Sequence, residues 1–121
     1  MTEIIDFRKL KLRTAKRFGD SPFESFELDV SDGQGVWKTQ VAVVDYHIRD
    51  DGIAVIEDIN VAANYTGKGV GRFIIKRLET DLKHEGIHEV HLDRVQKEAM
   101  GFWRTLGYYP PSNGLGWRKP L

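Results

Sequence analysis

Two groups of residues in this 121-residue sequence have types and spacings that suit chemistry. The first is the segment TGKGVG, in which Gly67, Gly69 and Gly71 alternate just before an apolar run with helical spacing. Glycines let a backbone approach a ligand closely, and the amino end of a helix favours an anion. The second is the adjacent acid pair Glu57 and Asp58, which interrupts an otherwise apolar strand pattern. Together they predict an anion-binding loop and a site for acid–base chemistry.

The glycine loop does not fit either of two common nucleotide-binding patterns. A nucleoside-triphosphate loop needs Ser or Thr after Gly-Lys to bind Mg²⁺, but Gly69 follows Lys68 here. A dinucleotide loop needs glycine at the position of Ile74. The backbone N–H groups of residues 67–72 are predicted instead to surround an anion, such as a pyrophosphate, at the start of a helix. An ordinary turn before a helix is the alternative.

The acid pair lies on a strand, where adjacent residues point to opposite faces. In a regular strand Glu57 shares a face with Ile59 and Val61, and Asp58 shares the other face with Ile56. Only one of the two acids is therefore expected to point at a given cleft. A carboxylate on a buried strand costs free energy unless it has a partner. The pair indicates a general base, and a structural hydrogen-bonded carboxylate is the alternative for either acid.

Changes in hydrophobic period define the elements that must position these groups. FESFELDV alternates apolar and polar residues, and the β-prone runs VWKTQVAVVDYHI and IAVIEDINV follow it, separated by the turn signals SDGQG and DDG. These segments predict an antiparallel meander that ends in a buried strand at 53–61. The N-terminal segment IIDFRKLKL alternates poorly and fits either a strand or a short helix.

The second half of the chain has the period of helices. From Val70 to Leu82 the apolar residues recur at helical spacing, and Gly86 ends the run. IHEVHLD predicts a short strand, QKEAMGFWRTL predicts a second helix closed by Gly107, and the tail YYPPSNGLGWRKPL predicts two short strands around a turn. The order of elements predicts an α/β (α+β) fold, with residues 1–121 forming a single domain.

Composition excludes several classes of site and partner. Eighteen basic residues balance eighteen acidic ones, which gives no argument for nucleic acid or an anionic membrane as a partner. The absence of cysteine excludes disulfides, thiolate nucleophiles and cysteine-ligated zinc, and the four histidines lack the paired spacing of a metal site. No apolar run has the length of a signal-peptide core or a membrane span. We expect a cytoplasmic protein that uses no metal.

The glycine loop resembles a known family motif. The segment INVAANYTGKGVGRFIIKRLE is similar to the acetyl-CoA-binding motif of the GNAT superfamily of N-acetyltransferases, roughly V-x-x-x-[YF]-[QR]-x-x-G-x-[GA]. The matching positions are Val61, Tyr65, Gly69 and Gly71. Thr66 stands where the family usually has Gln or Arg. The resemblance implies that CoA binding survives this change, because the family holds the pyrophosphate mainly with backbone groups.

A second motif of the same superfamily occurs downstream. AMGFWRTLGY, residues 99–108, is similar to the pattern A-x-x-[FL]-Y-x-x-x-G-F, and the matching positions are Ala99, Phe102, Leu106 and Gly107. Trp103 stands where tyrosine is common, and Tyr108 replaces the usual Phe. The two motifs have the family's order, with a predicted strand between them. The resemblance covers about residues 53–108.

The resemblance implies a mixed, mostly antiparallel sheet with two packed helices, in which the parallel central strands 53–61 and 87–93 splay apart around acetyl-CoA. It implies transfer of the acetyl group to an amine by direct attack in a ternary complex, without a metal. The pantetheine arm would pair with the first of these strands and pack against the second helix, and the pyrophosphate would lie on the loop. The implied acetyl-CoA-binding residues are Ile59, Asn60, Val61, Thr66, Gly67, Lys68, Gly69, Val70, Gly71, Arg72 and Trp103.

Acetyl transfer to an amine needs a base for the amine and an acid for the leaving thiolate. Glu57 and Asp58 are the first candidates for the base. His91 is a further candidate, since the unperturbed pKa of histidine lies near neutrality, and an exposed strand histidine is the alternative. The tryptophan at the usual tyrosine position has no oxygen proton to donate. The acid is therefore Tyr108, Tyr109 or water.

A finer resemblance concerns the acceptor. The segments AVIEDINV, HLD at 91–93 and WRK at 117–119 resemble parts of glucosamine-6-phosphate N-acetyltransferases, in which both strand acids lie in the active site and the arginine meets the sugar phosphate. By this partial resemblance, Asp93 and Arg118 are candidate acceptor-binding residues. The acceptor itself stays open between a small-molecule amine and an amine of a peptide or protein.

GNAT proteins commonly have two helices after their first strand, and only about twenty residues precede the first clear strand here. The acceptor side is therefore expected to be short or open. Apolar surface around Trp37, Trp117 and the tail tyrosines predicts a homodimer with residues 108–121 near the interface, and a monomer is the alternative. A CoA-binding sensor or interaction module without turnover is the alternative function, favoured by Trp103 and the short N-terminal region.

Overall fold

The computed structural model describes residues 11–18, 24–31, 33–110 and 116–121 of the chain. Within these ranges, six strands form one sheet in the order β1 to β6. The strands are β1 (Lys11–Phe18), β2 (Glu24–Ser31), β3 (Trp37–Ile48), β4 (Ile53–Val61), β5 (Glu89–Leu92) and β6 (Arg118–Pro120). The helices are α1 (Val70–His84) and α2 (Met100–Thr105), and single 3₁₀ turns lie at Ala63–Tyr65 and Lys97–Ala99.

The strand pairing agrees with the predicted topology. All neighbouring strands are antiparallel except β4 and β5, which are parallel, with α1 between them in the chain. The predicted meander corresponds to β2, β3 and β4, and the helix predicted after the glycine loop is α1. The mixed, mostly antiparallel α/β sheet with two helices is thus confirmed. The extent of a single domain over 1–121 stays a prediction.

The first strand extends further along the chain than its sequence pattern indicates. The segment 4–12 fits a strand or a helix, whereas β1 continues to Phe18, and residues 4–10 lie outside the described residues. Among the described residues, β1 is an edge strand that pairs with β2 alone. Edge strands commonly carry charged side chains, which weaken the apolar alternation that identifies a strand. The run KLRTAKRF shows this effect.

The last elements are shorter than predicted. The second helix divides into the 3₁₀ turn Lys97–Ala99 and the short α2. Of the two tail strands, only β6 forms a ladder, with β5, and Tyr109 pairs with Arg118 in an isolated bridge. The turn predicted between them falls largely on residues 111–115, which lie outside the described residues. These short elements close the sheet beside β5, and Trp103 of α2 joins the core.

The core lies between α1 and one face of the sheet. The helix buries a single stripe because its apolar residues recur at helical spacing, namely Val70, Ile74, Ile75, Leu78 and Leu82. Opposite them, the sheet buries Phe26, Leu28, Val44, Tyr46, Ala54, Ile56 and Val90. Full burial of one such side chain stabilises the fold by about 1.5–3 kcal/mol. This layer therefore determines where α1 begins, and with it the position of the glycine loop.

A β-bulge in β4 changes which way its acids point. Tyr46 pairs with Ile56 and Asp45 pairs with Asp58, so Glu57 is an extra residue without a partner position on β3. Ile56 is part of the core, and Ile59, three residues later, also packs against it. The expectation that Glu57 and Asp58 face opposite sides of a regular strand is therefore wrong, because the bulge interrupts the alternation between them.

The parallel pairing of β4 and β5 ends close to the bulge. The ladder runs from Ile53 opposite Glu89 to Ile56 opposite Leu92, and the N–H of Asp93 donates a final hydrogen bond of 3.0 Å to the Ile56 carbonyl. Beyond this point β4 continues to Val61 along β3 alone. The predicted splay between the two parallel strands is therefore present and begins at Glu57.

Candidate active site

A cleft of about 390 Å³ opens where β4 and β5 part. Its charged groups come from both strands, with Glu57 and Asp58 on β4 and Asp93 and Arg94 after the end of β5. Trp103 of α2 also lines the cleft. With Ile59, the structure thus brings together five residues predicted from the sequence as catalytic, acceptor-binding or CoA-binding. Both strand acids reach this one cleft.

A second cavity of about 430 Å³ lies beside the glycine loop. Its walls combine apolar side chains with six loop and helix residues, Thr66, Gly67, Gly69, Val70, Gly71 and Arg72. Ile59 lines both this cavity and the cleft, so the two are adjacent along β4. Val61 also lines the second cavity, whereas Asn60 and Lys68 line neither. Most of the predicted CoA-binding residues therefore surround one adjoining pair of cavities.

The start of α1 presents backbone donors to the second cavity. Gly67 and Gly69 have φ angles of 71° and 83°, in the left-handed region that favours glycine, and Gly69 caps the helix without a side-chain hydrogen bond. Phe73 donates its N–H to the Gly69 carbonyl at 3.0 Å. The N–H groups of the preceding turn have no partner within the helix and are available to an anion.

Gly71 shows how closely this loop is packed. A Cβ atom at this position would lie 3.4 Å from the Phe102 ring and 3.7 Å from Cγ2 of Val61. A Cβ atom would therefore just reach van der Waals contact, and a larger side chain would crowd Phe102. The cavity combines backbone N–H donors with the apolar side chains of Tyr65 and Phe102, which suits a ligand with an anionic group and a less polar arm. CoA has this composition.

Glu57 lies between a histidine and a second carboxylate. Nδ1 of His47, on β3, is 2.7 Å from Oε1 of Glu57. Partial burial raises the pKa of Glu57 above that of an ordinary glutamate, Asp93 raises it further, and His47 opposes the rise. A carboxyl group with a raised pKa is a better proton acceptor when it is ionised. Asp58, by contrast, is exposed.

His47 is the residue of this site that sequence reasoning missed. It stands in the run VVDYHI with no motif around it, and its register partner on β4 is Val55. Its contact with Glu57 depends on the bulge, which nothing in the sequence indicates. A polar residue on the strand that neighbours an acid-bearing strand is the only signal that could have found it.

Two other predicted residues lie together, but away from the cleft. Nε2 of His91 is 2.9 Å from Oε1 of Glu89, and Nη1 of Arg118 is 3.8 Å from the same oxygen. His91 and Arg118 are also register partners on β5 and β6. Neither is among the residues that line the two cavities. The structure does not bring the candidate base His91 or the candidate acceptor-binding Arg118 to Glu57.

Tyr108 has a buried hydroxyl that serves another partner. It donates a hydrogen bond of 2.8 Å to Oε2 of Glu79 on α1, and Nζ of Lys119 donates to Oε1 of the same carboxylate at 2.9 Å. Burial, together with the Glu79 carboxylate, raises the pKa of Tyr108, so the hydroxyl stays protonated. Tyr108 does not line the cleft. Tyr109 is half exposed.

Trp103 lies between the cleft and the buried ring of Tyr108. It is only 4% exposed, and its ring contacts the rings of Phe102 and Tyr108 edge-on, with centroids 5.0 and 5.1 Å away. One side of the indole therefore packs in the core while another part lines the cleft. An apolar ring at this position suits contact with an uncharged arm of a ligand rather than proton donation.

Two further observations concern metals and membranes. Among the described residues, no group of three or more His, Asp or Glu side chains is arranged to hold a metal ion. None of the helices in the described ranges is long and apolar enough to cross a membrane.

Comparison with known proteins identifies the family. The model of the Acetyltransferase (GNAT) family matches residues 5–108. The chain therefore belongs to this family, as its two motifs suggest.

Individual relatives are more distant. The chloroplastic serotonin N-acetyltransferase 2 of Oryza sativa subsp. japonica is 35% identical over 60 residues, which cover 48% of this chain and 30% of the relative. The match thus spans less than a third of that protein.

Two solved structures share the fold. The ribosomal-protein-S18-alanine N-acetyltransferase of Escherichia coli is 20% identical with a TM-score of 0.62, covering 85% of this chain and 71% of its own. Tetrahymena GCN5 is 14% identical with a TM-score of 0.66, and the match covers 84% of this chain and 69% of its own.

The surroundings of Tyr108 predict a structural role. Tyr108→Phe should lower the free energy of unfolding by about 1–3 kcal/mol, because the buried Glu79 carboxylate loses a hydrogen-bond donor. Denaturant titration measures this change. If the variant keeps its stability but loses its turnover, the structural role is contradicted and Tyr108 is the catalytic acid.

Proposed function

We propose that this protein transfers the acetyl group of acetyl-CoA to an amine by direct attack in a ternary complex. The observation that carries the proposal is the adjacency of two features along β4. A helix start suited to a pyrophosphate and a carboxylate with a raised pKa lie in neighbouring cavities that share Ile59. Family membership supports the same activity.

In this proposal the chain holds acetyl-CoA in three ways. The N–H groups around Gly69 to Arg72 bind the pyrophosphate, with the side chains of Lys68 and Arg72 adding positive charge nearby. The backbone of Ile59, Asn60 and Val61 pairs with the pantetheine arm on the side of β4 that β5 has left. Trp103 packs against the end of that arm. The thioester of acetyl-CoA supplies the activated acyl group.

Glu57 is the proposed general base. The acceptor amine must lose a proton to attack the thioester carbonyl, and the ionised Glu57 carboxylate receives it. Asp58 and Asp93 attract the positively charged amine to the cleft, while Arg94 is the cation among the lining residues. Water protonates the departing thiolate, because the cleft-lining Trp103 carries no suitable proton and the Tyr108 hydroxyl is bound to Glu79.

The acceptor class stays open between a small amine and an amine of a peptide or protein. Only residues 19–23 join β1 to β2, too few for the pair of helices expected after the first strand. An acceptor side without those helices can admit a large substrate as well as a small one. Arg118, the candidate contact for a sugar phosphate, lies beside Glu89 instead of in the cleft.

A homodimer stays part of the proposal, although the two tryptophans expected at its interface expose less apolar surface than predicted. Trp117 is only 8% exposed, and Trp37 is partly covered by the guanidinium of Arg13, 4.0 Å above its ring. The expectation that these two tryptophans form an exposed patch is therefore wrong. Among the described large apolar residues, Tyr109 is still half exposed near the tail. Its surface is where we expect the second copy to bind.

Binding of acetyl-CoA by the loop is tested with a carboxylate in the first turn of α1. Gly71→Asp should raise the dissociation constant by roughly tenfold or more, which corresponds to at least about 1.4 kcal/mol, because it adds negative charge at the anion site and crowds Phe102. Gly101→Asp is the matched control, since Gly101 is also helical, exposed and surrounded by open space. Isothermal titration in which both variants bind like the natural chain would exclude this loop as the CoA site.

The base is tested by removing its charge and keeping its shape. Glu57→Gln should lower kcat by roughly 10²–10⁴-fold, the usual loss when a general base is removed. Glu89→Gln is the matched control, because Glu89 also contacts a strand histidine but lies outside the cleft. Release of free CoA with a panel of amines measures turnover.

Two outcomes of that assay would change the proposal. If Glu57→Gln and Asp58→Asn both keep full turnover, the base is elsewhere, and His91 is tested next. If the natural chain binds acetyl-CoA but turns over none of the amines, the protein is a CoA-binding module instead of an enzyme.

A further inference from the structure

We propose that His47 is a positioning residue of this active site, which contacts the Glu57 carboxylate from β3 and holds it in the cleft. The inference rests on the proposed role of Glu57 as the base and adds to it. His47 belongs to neither family motif and lies on β3, outside the parallel strand pair.

The bulge creates the contact. In the regular part of the ladder His47 pairs with Val55, two residues before Glu57. Because Glu57 is the extra residue, it has no register partner on β3, and its carboxylate lies beside the histidine, with 2.7 Å between Nδ1 and Oε1. A contact at this distance limits the positions open to a side chain with several rotatable bonds.

Asp93 acts on the same carboxylate from the opposite strand. It is the first residue after β5, and both Asp93 and Glu57 line the cleft. After burial, Asp93 is the main cause of the raised pKa of Glu57, and His47 is the group that lowers it. A histidine on one side and an aspartate on the other thus have opposite effects on one proton-accepting group.

The remaining charged groups around the cleft are few. Asp58 is exposed on β4, and its register partner on β3 is Asp45, which accepts a hydrogen bond of 2.6 Å from the Ser25 hydroxyl. Arg94 follows Asp93. His47 is the group that the structure places in contact with Glu57 on its β3 side.

The pair formed by Glu89 and His91 shows what a structural contact of the same kind looks like. Its N···O distance is 2.9 Å, and Arg118 lies on the same carboxylate oxygen, outside the cleft. Its two side chains are half-buried, as are those of His47 and Glu57, so burial does not distinguish the two pairs. The pair formed by His47 and Glu57 differs because its carboxylate lines the cleft and faces a second carboxylate, that of Asp93, so its effect should appear in chemistry.

The test is the pH dependence of kcat/KM in two variants that act in opposite directions. Since His47 lowers the pKa of Glu57, His47→Gln should raise it and move the acidic limb of the profile to higher pH. Since Asp93 raises that pKa, Asp93→Asn should move the acidic limb to lower pH. His47→Gln should also lower kcat, by less than the roughly 10²–10⁴-fold loss for Glu57→Gln. A merely structural histidine would not shift the limb.

A second measurement does not need turnover. NMR titration of isotope-labelled glutamate carboxyl groups follows Glu57 directly, with its signal assigned from its absence in Glu57→Gln. The Glu57 pKa should rise in His47→Gln, fall in Asp93→Asn and stay unchanged in His88→Gln, where an exposed histidine that contacts the Asp51 carbonyl is changed. Thermal unfolding of each variant confirms that it is folded.

The outcomes separate this inference from the proposed function. If no amine is turned over but the two variants shift the Glu57 pKa in opposite directions, the proposed activity fails and the effect of His47 on Glu57 holds. If His47→Gln leaves both the Glu57 pKa and the acidic limb unchanged, or shifts them in the same direction as Asp93→Asn, the inference about His47 is overturned.

Discussion

Past Ile56, within the residues that the structure describes, β4 is hydrogen-bonded to β3 alone, and the other features of the site depend on this loss of one ladder in the middle of a sheet. Backbone N–H and C=O groups on the side facing β5 would normally be paired, and leaving them unpaired costs free energy. A ligand with amide groups of its own can satisfy them as an added strand does. The defect in the sheet thus prepares a site for an extended arm.

The same point in the chain also determines where charge is placed. The bulge adds Glu57 to β4 next to the position where the strands part, so the extra residue faces the cleft and His47 at once. α1 begins nine residues after β4 ends, and its amino end supplies donors for an anion without using a charged side chain. One cavity therefore favours negative charge, and its neighbour, lined by three carboxylates and one arginine, favours positive charge.

Much of this arrangement could be predicted from sequence patterns. Val61, Gly69 and Gly71 have types and spacing that only a tight loop before a helix explains, and the period of α1 is strong because a whole helix repeats it. The partners of Glu57 could not be found in this way. A bulge changes the register by a single residue and leaves no periodic signal, and the contact with His47 joins two strands at a position that only the register defines.

Two further expectations depend on tertiary partners that the sequence does not reveal. Tyr108 occupies a motif position, but its partner Glu79 lies on the buried side of α1, where a carboxylate is not expected from the helical period. Trp117 and Trp37 have the composition of an exposed patch, yet one is in the core and the other lies under Arg13. Residue type indicates which side chains can bind a ligand or partner, and tertiary contacts decide which of them do.

A crystal structure of the chain with acetyl-CoA would test the proposed CoA site and the proposed base together. We expect pyrophosphate oxygens on the backbone N–H groups at the start of α1, pantetheine amides paired with the backbone of Ile59 to Val61, and the thioester in the cleft beside Glu57. A complex with the pyrophosphate elsewhere, for example on the lysines of the groove between α1 and β6, namely Lys76, Lys83 and Lys119, would contradict the proposed CoA site.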